Sequence, residues 1–185
     1  MLPIDFLPDS LVADGVRARA SALIGRGRLA MARAPGWLGD LHGELAQICA
    51  VGIGSVLALV EDKDISFFGI AESADGYVAA VAGAGLVLLR YPIPDHGVPA
   101  SLADFVVAIT GLNDRRRAGE SVLVHCAAGI GRTGLVAACS LVALGARVDE
   151  AVAIVRATNP FRIETDGQLQ FVEEFGLAVQ DARLR

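Results

Sequence analysis

Hydrophobic residues recur along this chain in two alternating patterns. Residues 28–33, 55–60, 85–91 and 121–125 are short, nearly unbroken apolar runs rich in Val, Leu and Ala. They lack the in–out alternation of a half-exposed strand, which predicts strands buried on both faces. Between them lie segments with apolar residues three or four apart. Leu41, Leu45 and Ile48 predict a helix over 41–51, closed by Gly52 and Gly54. Further helices are predicted over 72–82, 101–117, 133–145 and 150–157, and from 165 onward, where Leu169, Val172, Phe175 and Val179 share one face. Ser101 with Asp104, and Thr165 with Gln168, have capping-box spacing, and Asp149 is placed to cap the helix from 150. The acidic stretch 61–64 is expected to be a turn. Strands alternating with helices predict a single α/β domain over 28–185, with a central, mainly parallel sheet flanked by helices on both faces. Residues 1–27, two prolines followed by an Ala/Arg-rich stretch, are expected to form an N-terminal extension.

Composition narrows the function classes. Of the 185 residues, 54% are hydrophobic and 20% charged, the balance of a folded globule. A net charge of −5 gives no basis for nucleic acid or an anionic membrane as partner. The N-terminus has no basic segment ahead of an apolar one, so no secretory signal is expected, and the longest apolar stretch, near 135–146, is too short to span a bilayer. Cys49, Cys126 and Cys139 are too scattered for a disulfide framework or a metal site, which fits a reducing cytoplasm. Cys49 and Cys139 lie in apolar helical stretches and are expected to pack in the core.

Cys126 lies elsewhere, in a turn between a strand and a helix. The turn is His125-Cys126-Ala127-Ala128-Gly129-Ile130-Gly131-Arg132, followed by Thr133 and Gly134. A thiol at a helix N-terminus is pushed toward thiolate by the backbone N–H groups and the helix dipole. The same N–H groups, from Ala127 to Arg132, make a cradle for a tetrahedral anion such as phosphate, sulfate or vanadate. Arg132, six residues after the thiol, closes that cradle with a bidentate fork. A cation at a helix N-terminus is otherwise badly placed, which itself implies an anion there. One turn thus supplies nucleophile, oxyanion seat and cation.

This segment resembles the signature loop of the cysteine-dependent protein tyrosine and dual-specificity phosphatases. Two other segments add to the likeness. Tyr91-Pro-Ile-Pro-Asp95-His-Gly-Val-Pro99 is similar to the stretch that carries the general acid in dual-specificity phosphatases, and Phe161-Arg-Ile-Glu-Thr165-Asp-Gly-Gln168 to the stretch where a glutamine faces the site. Together they look closest to the kinase-associated phosphatase branch and its bacterial relatives. The resemblance implies the tyrosine phosphatase fold and a metal-independent, cofactor-free hydrolysis of a phosphorylated protein or peptide through a cysteinyl-phosphate. Cys126 would be nucleophile, Arg132 phosphate ligand and Asp95 general acid. Thr133 would donate to the departing thiolate, His125 would brace the loop, and Gln168 would position water. Asp62 and Asp64 stand in reserve as acids.

Other readings meet the same residues. Gly129, Gly131 and Gly134 match the G-x-G-x-x-G of dinucleotide-binding folds, with Asp149 about 20 residues on. That aspartate should end a strand, however, and its surroundings predict a helix start. A catalytically weak phospho-binding module, or a phosphatase acting on a non-protein phosphoester, are the remaining alternatives. The loop interior, Ala127, Ala128 and Ile130, has no lysine, which disfavours a multiply charged inositol headgroup.

Overall fold

The computed structural model describes residues 1–7 and 27–184. Strand β5 (Ser121–His125) occupies the centre of a five-stranded sheet. It pairs in parallel with β2 (Leu29–Ala32) on one side and β3 (Ile53–Ala58) on the other, and β3 pairs in parallel with β4 (Val87–Arg90). Strand β1 (Asp5–Phe6) closes the β2 edge antiparallel, giving the order β1-β2-β5-β3-β4. Strands β2, β3 and β5 are buried almost throughout, as their unbroken apolar runs require, whereas the edge strand β4 is partly exposed.

Helices cover both faces. On one, α1 (Leu41–Ala50), α2 (Asp62–Phe67) and α3 (Ala74–Gly83) pack Ile48, Ile65, Tyr77 and Val81 against Val56, Ala58 and Leu123. On the other, α4 (Leu102–Arg117), α5 (Gly131–Ala143), α6 (Val148–Thr158) and α7 (Asp166–Leu184) enclose Met31, Leu57, Val122 and Val124 with Phe105, Leu135, Val155 and Phe175. Helix α5 is buried on nearly every side, because it lies on the sheet between α4, α6 and α7. That explains an apolar composition with no polar stripe.

Four expectations are corrected. Residues 1–7, expected as part of an extension, belong to the folded body. Leu2 and Leu7 are buried, and the Leu7 N–H donates to the Leu29 carbonyl at 2.9 Å. A two-residue strand is too short to carry a period, so the pattern does not announce it. The rest of the expected extension, residues 8–26, lies outside the described residues. Asp149 does not cap a helix from 150. Helix α6 begins at Val148, its N-cap Arg147 donates its N–H to Glu150 at 3.1 Å, and Asp149 pairs with the Arg147 side chain. The acidic stretch 61–64 is not a plain turn but opens α2, with the Glu61 N–H donating to the Asp64 carboxylate at 3.2 Å. Finally, α5 begins at Gly131 rather than Thr133, which places Arg132 inside its first turn.

Candidate active site

Strand β5 delivers His125 to the carboxyl end of the sheet, where open α/β sheets hold their ligands. The loop 126–130 then turns back into α5 and is tied to both neighbouring strands. The Ala34 N–H donates to the Ala127 carbonyl at 2.8 Å, and the Leu59 N–H to the His125 carbonyl at 2.9 Å. Gly129 has φ +76°, and a Cβ there would lie 2.4 Å from the Ala32 carbonyl oxygen, so only glycine fits. A Cβ on Gly131 would meet Gln168 and Glu164 at 2.8–2.9 Å, and one on Gly134 the Ile163 nitrogen at 2.7 Å. The three glycines thus admit close packing around the loop. With Asp149 in the first turn of a helix instead of at a strand end, the dinucleotide reading falls away.

Cys126 is 3% exposed, and its Sγ accepts the Gly129 N–H at 3.3 Å. Arg132 is as deeply enclosed, at 1%. Its Nη1 donates to the Asp64 carboxylate and the Ile93 carbonyl, both at 2.9 Å. Its Nη2 stands 2.8 Å from Asp95 Oδ1 without a directed hydrogen bond. Burial favours the neutral guanidine, but the Asp64 hydrogen bond and the charges of Cys126, Asp95 and Asp64 outweigh it and hold the Arg132 pKa above its usual value. The guanidinium is therefore fixed and charged, with one nitrogen turned toward a displaceable partner.

His125 is fully buried, between the Tyr77 hydroxyl (2.7 Å from Nε2) and the Cys126 carbonyl (3.0 Å from Nδ1). A carbonyl only accepts, so Nδ1 carries the proton and Nε2 accepts from Tyr77. Burial lowers the His125 pKa to about 4, leaving the ring neutral near pH 7, and raises that of Tyr77. His125 is thus a brace for the loop with no charge to shuttle. The Thr133 hydroxyl is buried and has no hydrogen-bond partner among the described residues, so its donor is uncommitted.

Asp95 lies on the loop after β4, its side chain 44% exposed. That loop is docked onto the segment before α7. Thr165 Oγ1 donates to the His96 carbonyl at 3.4 Å, Gln168 Nε2 to the Gly97 carbonyl at 3.2 Å, and His96 Nδ1 lies 3.3 Å from Glu164. The expected capping box forms as well, with the Gln168 N–H donating to Thr165 Oγ1 at 3.2 Å and Gln168 Oε1 accepting from Glu164 and Thr165. Both ends of the Gln168 amide are therefore engaged while it sits over Gly131. The reserve acids are employed elsewhere: Asp64 on Arg132, and Asp62 on Arg90 at the surface. Cys139 is a core residue whose thiol pKa is pushed up by burial, and Cys49, half-buried on α1, donates to the Ala84 carbonyl.

The structure thus brings Cys126, Arg132, Asp95, His125, Thr133 and Gln168 around one loop. Sequence reasoning missed Tyr77, one aromatic on an apolar helix face, for which the spacing carries no signal. It also missed Asp64 as the partner of Arg132. A carboxylate just beyond a buried strand, in a chain whose strand–helix turn carries an arginine, was the available clue.

The family described as "Polymorphic toxin system, DSP-PTPase phosphatase" matches residues 32–146, more than half of the chain. The chain belongs to this family of cysteine-dependent phosphatases. Mouse "Protein tyrosine phosphatase domain-containing protein 1" is 35% identical to this chain over 152 residues, covering 80% of this chain and 20% of its own. The cattle protein of the same name is 40% identical over 93 residues, covering 50% and 11%. The chain therefore spans a fifth or less of the length of these relatives. Among solved structures, Tk-PTP in its active form is 30% identical with a TM-score of 0.68, covering 82% of this chain and 92% of its own. Kinase associated phosphatase, with its catalytic-site cysteine replaced by serine, is 20% identical with a TM-score of 0.80, covering 97% and 96%. That second likeness is one of fold, and it agrees with the expected architecture. Among the described residues, no helix is long and apolar enough to cross a membrane.

Proposed function

We propose that this phosphatase hydrolyses phosphomonoesters on proteins, phosphotyrosine and also phosphoserine or phosphothreonine, through a cysteinyl-phosphate on Cys126. One observation carries this reading: the buried Cys126 sulfur accepts the Gly129 N–H at the N-terminal end of α5, in one loop with a guanidinium held by Asp64 on one nitrogen and only loosely by Asp95 on the other. A phosphate dianion entering the cradle takes the loop N–H groups and Nη2 of Arg132 in place of Asp95. Freed from the guanidinium, the Asp95 carboxyl stands beside the bound ester as its proton donor.

Cys126 then attacks phosphorus in line. The S–P bond forms as the P–O bond to the leaving group breaks, and Asp95 gives its proton to the departing oxygen. In the second half, water attacks phosphorus and yields its proton to the Asp95 carboxylate. The P–S bond breaks, and the uncommitted Thr133 hydroxyl donates to the departing thiolate. Gln168, over Gly131, orients that water once its bond to the Gly97 carbonyl opens. No step calls on a metal or cofactor. The neutral loop interior of Ala127, Ala128 and Ile130 favours a singly phosphorylated side chain over a polyphosphorylated headgroup. A nucleophilic thiol at this site needs a reducing compartment, which supports a cytoplasmic enzyme.

The test is hydrolysis of p-nitrophenyl phosphate from pH 5 to 8 in EDTA by the wild type and by Cys126→Ser, with vanadate binding measured alongside. Activity that survives chelation and is lost in Cys126→Ser, with anion binding kept, is the expected result. Turnover by the serine variant would overturn the nucleophile assignment.

A further inference from the structure

Among the described residues, two that are not glycine hold a left-handed backbone, His96 at φ +56° and Ile163 at φ +60°. Such outliers persist only where their surroundings impose them, and they gather at working sites. These two lie on the two sides of one contact. His96 follows Asp95 on the acid loop, and Ile163 precedes Glu164 in the segment before α7. His96 Nδ1 lies 3.3 Å from Glu164 Oε2, and His96 Nε2 lies 3.7 Å from Asp95 Oδ2. The ring therefore stands between the carboxyl proposed as the acid and a second carboxylate that the mechanism above does not use.

Both sides of the contact are anchored. The Ile163 carbonyl accepts from the Arg156 guanidinium at 3.1 Å, and the Glu164 N–H donates to Gln168 Oε1 at 3.0 Å. The Glu164 carboxylate lies over the start of α5, 2.9 Å from where a Cβ of Gly131 would stand. On the acid loop, the Gly97 N–H closes the turn on the Pro94 carbonyl at 2.8 Å, and Asp95 Oδ1 accepts the His96 N–H at 3.1 Å.

Two ties that hold the acid loop to the site are broken in the proposed catalysis. The anion displaces Asp95 from Arg132, and Gln168 releases the Gly97 carbonyl to orient water. Two ties then remain at the residue next to Asp95. The His96 carbonyl accepts from Thr165 Oγ1 at 3.4 Å, long for a hydroxyl donor, and the His96 ring meets Glu164.

We propose that His96 and Glu164 form a clasp that keeps the acid loop over the cradle once the anion has displaced Asp95. Both are then positioning residues for the general acid, and neither exchanges a proton with the substrate. The proposal rests on the reading of Asp95 as that acid. With side chains 63% and 43% exposed, the pair is screened by water, so its effect is modest and falls on proton transfer.

The experiment is kcat/KM for aryl phosphates of rising leaving-group pKa, which reports the step that breaks the P–O bond. It compares the wild type with His96→Gly, Glu164→Ala, the double variant and Asp95→Ala, with Tm measured for each. His96→Gly keeps the left-handed turn and removes the ring. His96→Gly and Glu164→Ala are each expected to slow phenyl phosphate about fivefold and to leave p-nitrophenyl phosphate within about twofold of the wild type. The double variant loses no more than either single one, because the two residues act through one contact. Equal losses on every ester, as a merely structural role would give, overturn the clasp, and so do losses that multiply in the double variant. A far larger loss in Glu164→Ala than in His96→Gly also overturns it, since Glu164 would then be a proton donor itself. An absence of leaving-group dependence in Asp95→Ala refutes the acid reading. A strong dependence there, with none in the His96 and Glu164 variants, refutes the clasp alone. Should one single variant fail to fold, the other still carries the leaving-group test.

Discussion

Asp95 shows how much one residue's role depends on its neighbours. In the sequence it is a turn aspartate in Pro94-Asp95-His96-Gly97, and turn chemistry accounts for it fully. In the fold it lies 2.8 Å from Arg132 Nη2, which has no directed hydrogen bond among the described residues, and in the proposed mechanism an arriving anion displaces it at the moment a proton donor is needed. This has a kinetic consequence. Asp95→Ala should slow alkyl and phenyl phosphates by about 100-fold, within the usual range for loss of a general acid, and p-nitrophenyl phosphate far less, because p-nitrophenolate leaves without a proton. A series of leaving groups of rising pKa measures it; a uniform loss across the series would remove Asp95 from the acid role. Asp64 carries the opposite lesson. From its place after a strand it stood in reserve as an acid, but burial against Arg132 makes it the group that holds the guanidinium.

Among the elements, the strand–loop–helix unit β5–α5 is the one the sequence declares most fully. The apolar run before Cys126, the glycines after it and the apolar stretch beyond place the turn without any tertiary information. Its neighbours decide how tightly it is drawn. Gly129 abuts the Ala32 carbonyl of β2, and both Gly131 and Gly134 abut the segment before α7. Gly129→Ala combines a left-handed φ with a backbone clash, so it should destabilise the protein by more than about 2 kcal/mol and abolish anion binding at the loop. Urea unfolding with vanadate titration checks both, and retention of tight vanadate binding would contradict a cradle built on that conformation. The helix boundaries were less legible. Helix α5 starts two residues early, its first turn closed by the Gly134 N–H on the Ile130 carbonyl, and α6 starts early because the Arg147 backbone, not Asp149, meets Glu150.

At the scale of the whole molecule, burial of the loop's foundations ties stability to pH. His125 titrates at about 4 in the fold, while an unfolded imidazole titrates near 6.5. Between those values the unfolded chain binds more protons, so stability rises with pH. The His125 contribution is complete above about pH 6.5 and is lost as pH falls toward 4, by about 3 kcal/mol in all, with about 2 kcal/mol gone between pH 7 and 4.5. Urea midpoints at those two pH values, for the wild type and His125→Asn, should show the wild type losing about 2 kcal/mol more; equal losses would mean that His125 is not buried neutral. The sequence by itself determined the layered α/β class, the four parallel strands, and the strand–loop–helix turn with its cysteine and arginine. Those rest on local periodicity and on chemistry contained in a few consecutive residues. Only the tertiary structure decided that residues 1–7 complete the sheet, that the Tyr77 hydroxyl meets His125, that Asp64 orients Arg132, and that Arg162 meets Asp5 across the fold. Each of these joins residues far apart in the chain, up to 157 positions for Asp5 and Arg162. Such pairs leave no periodic trace, because it is the packing of helices on a sheet that brings them to hydrogen-bond distance.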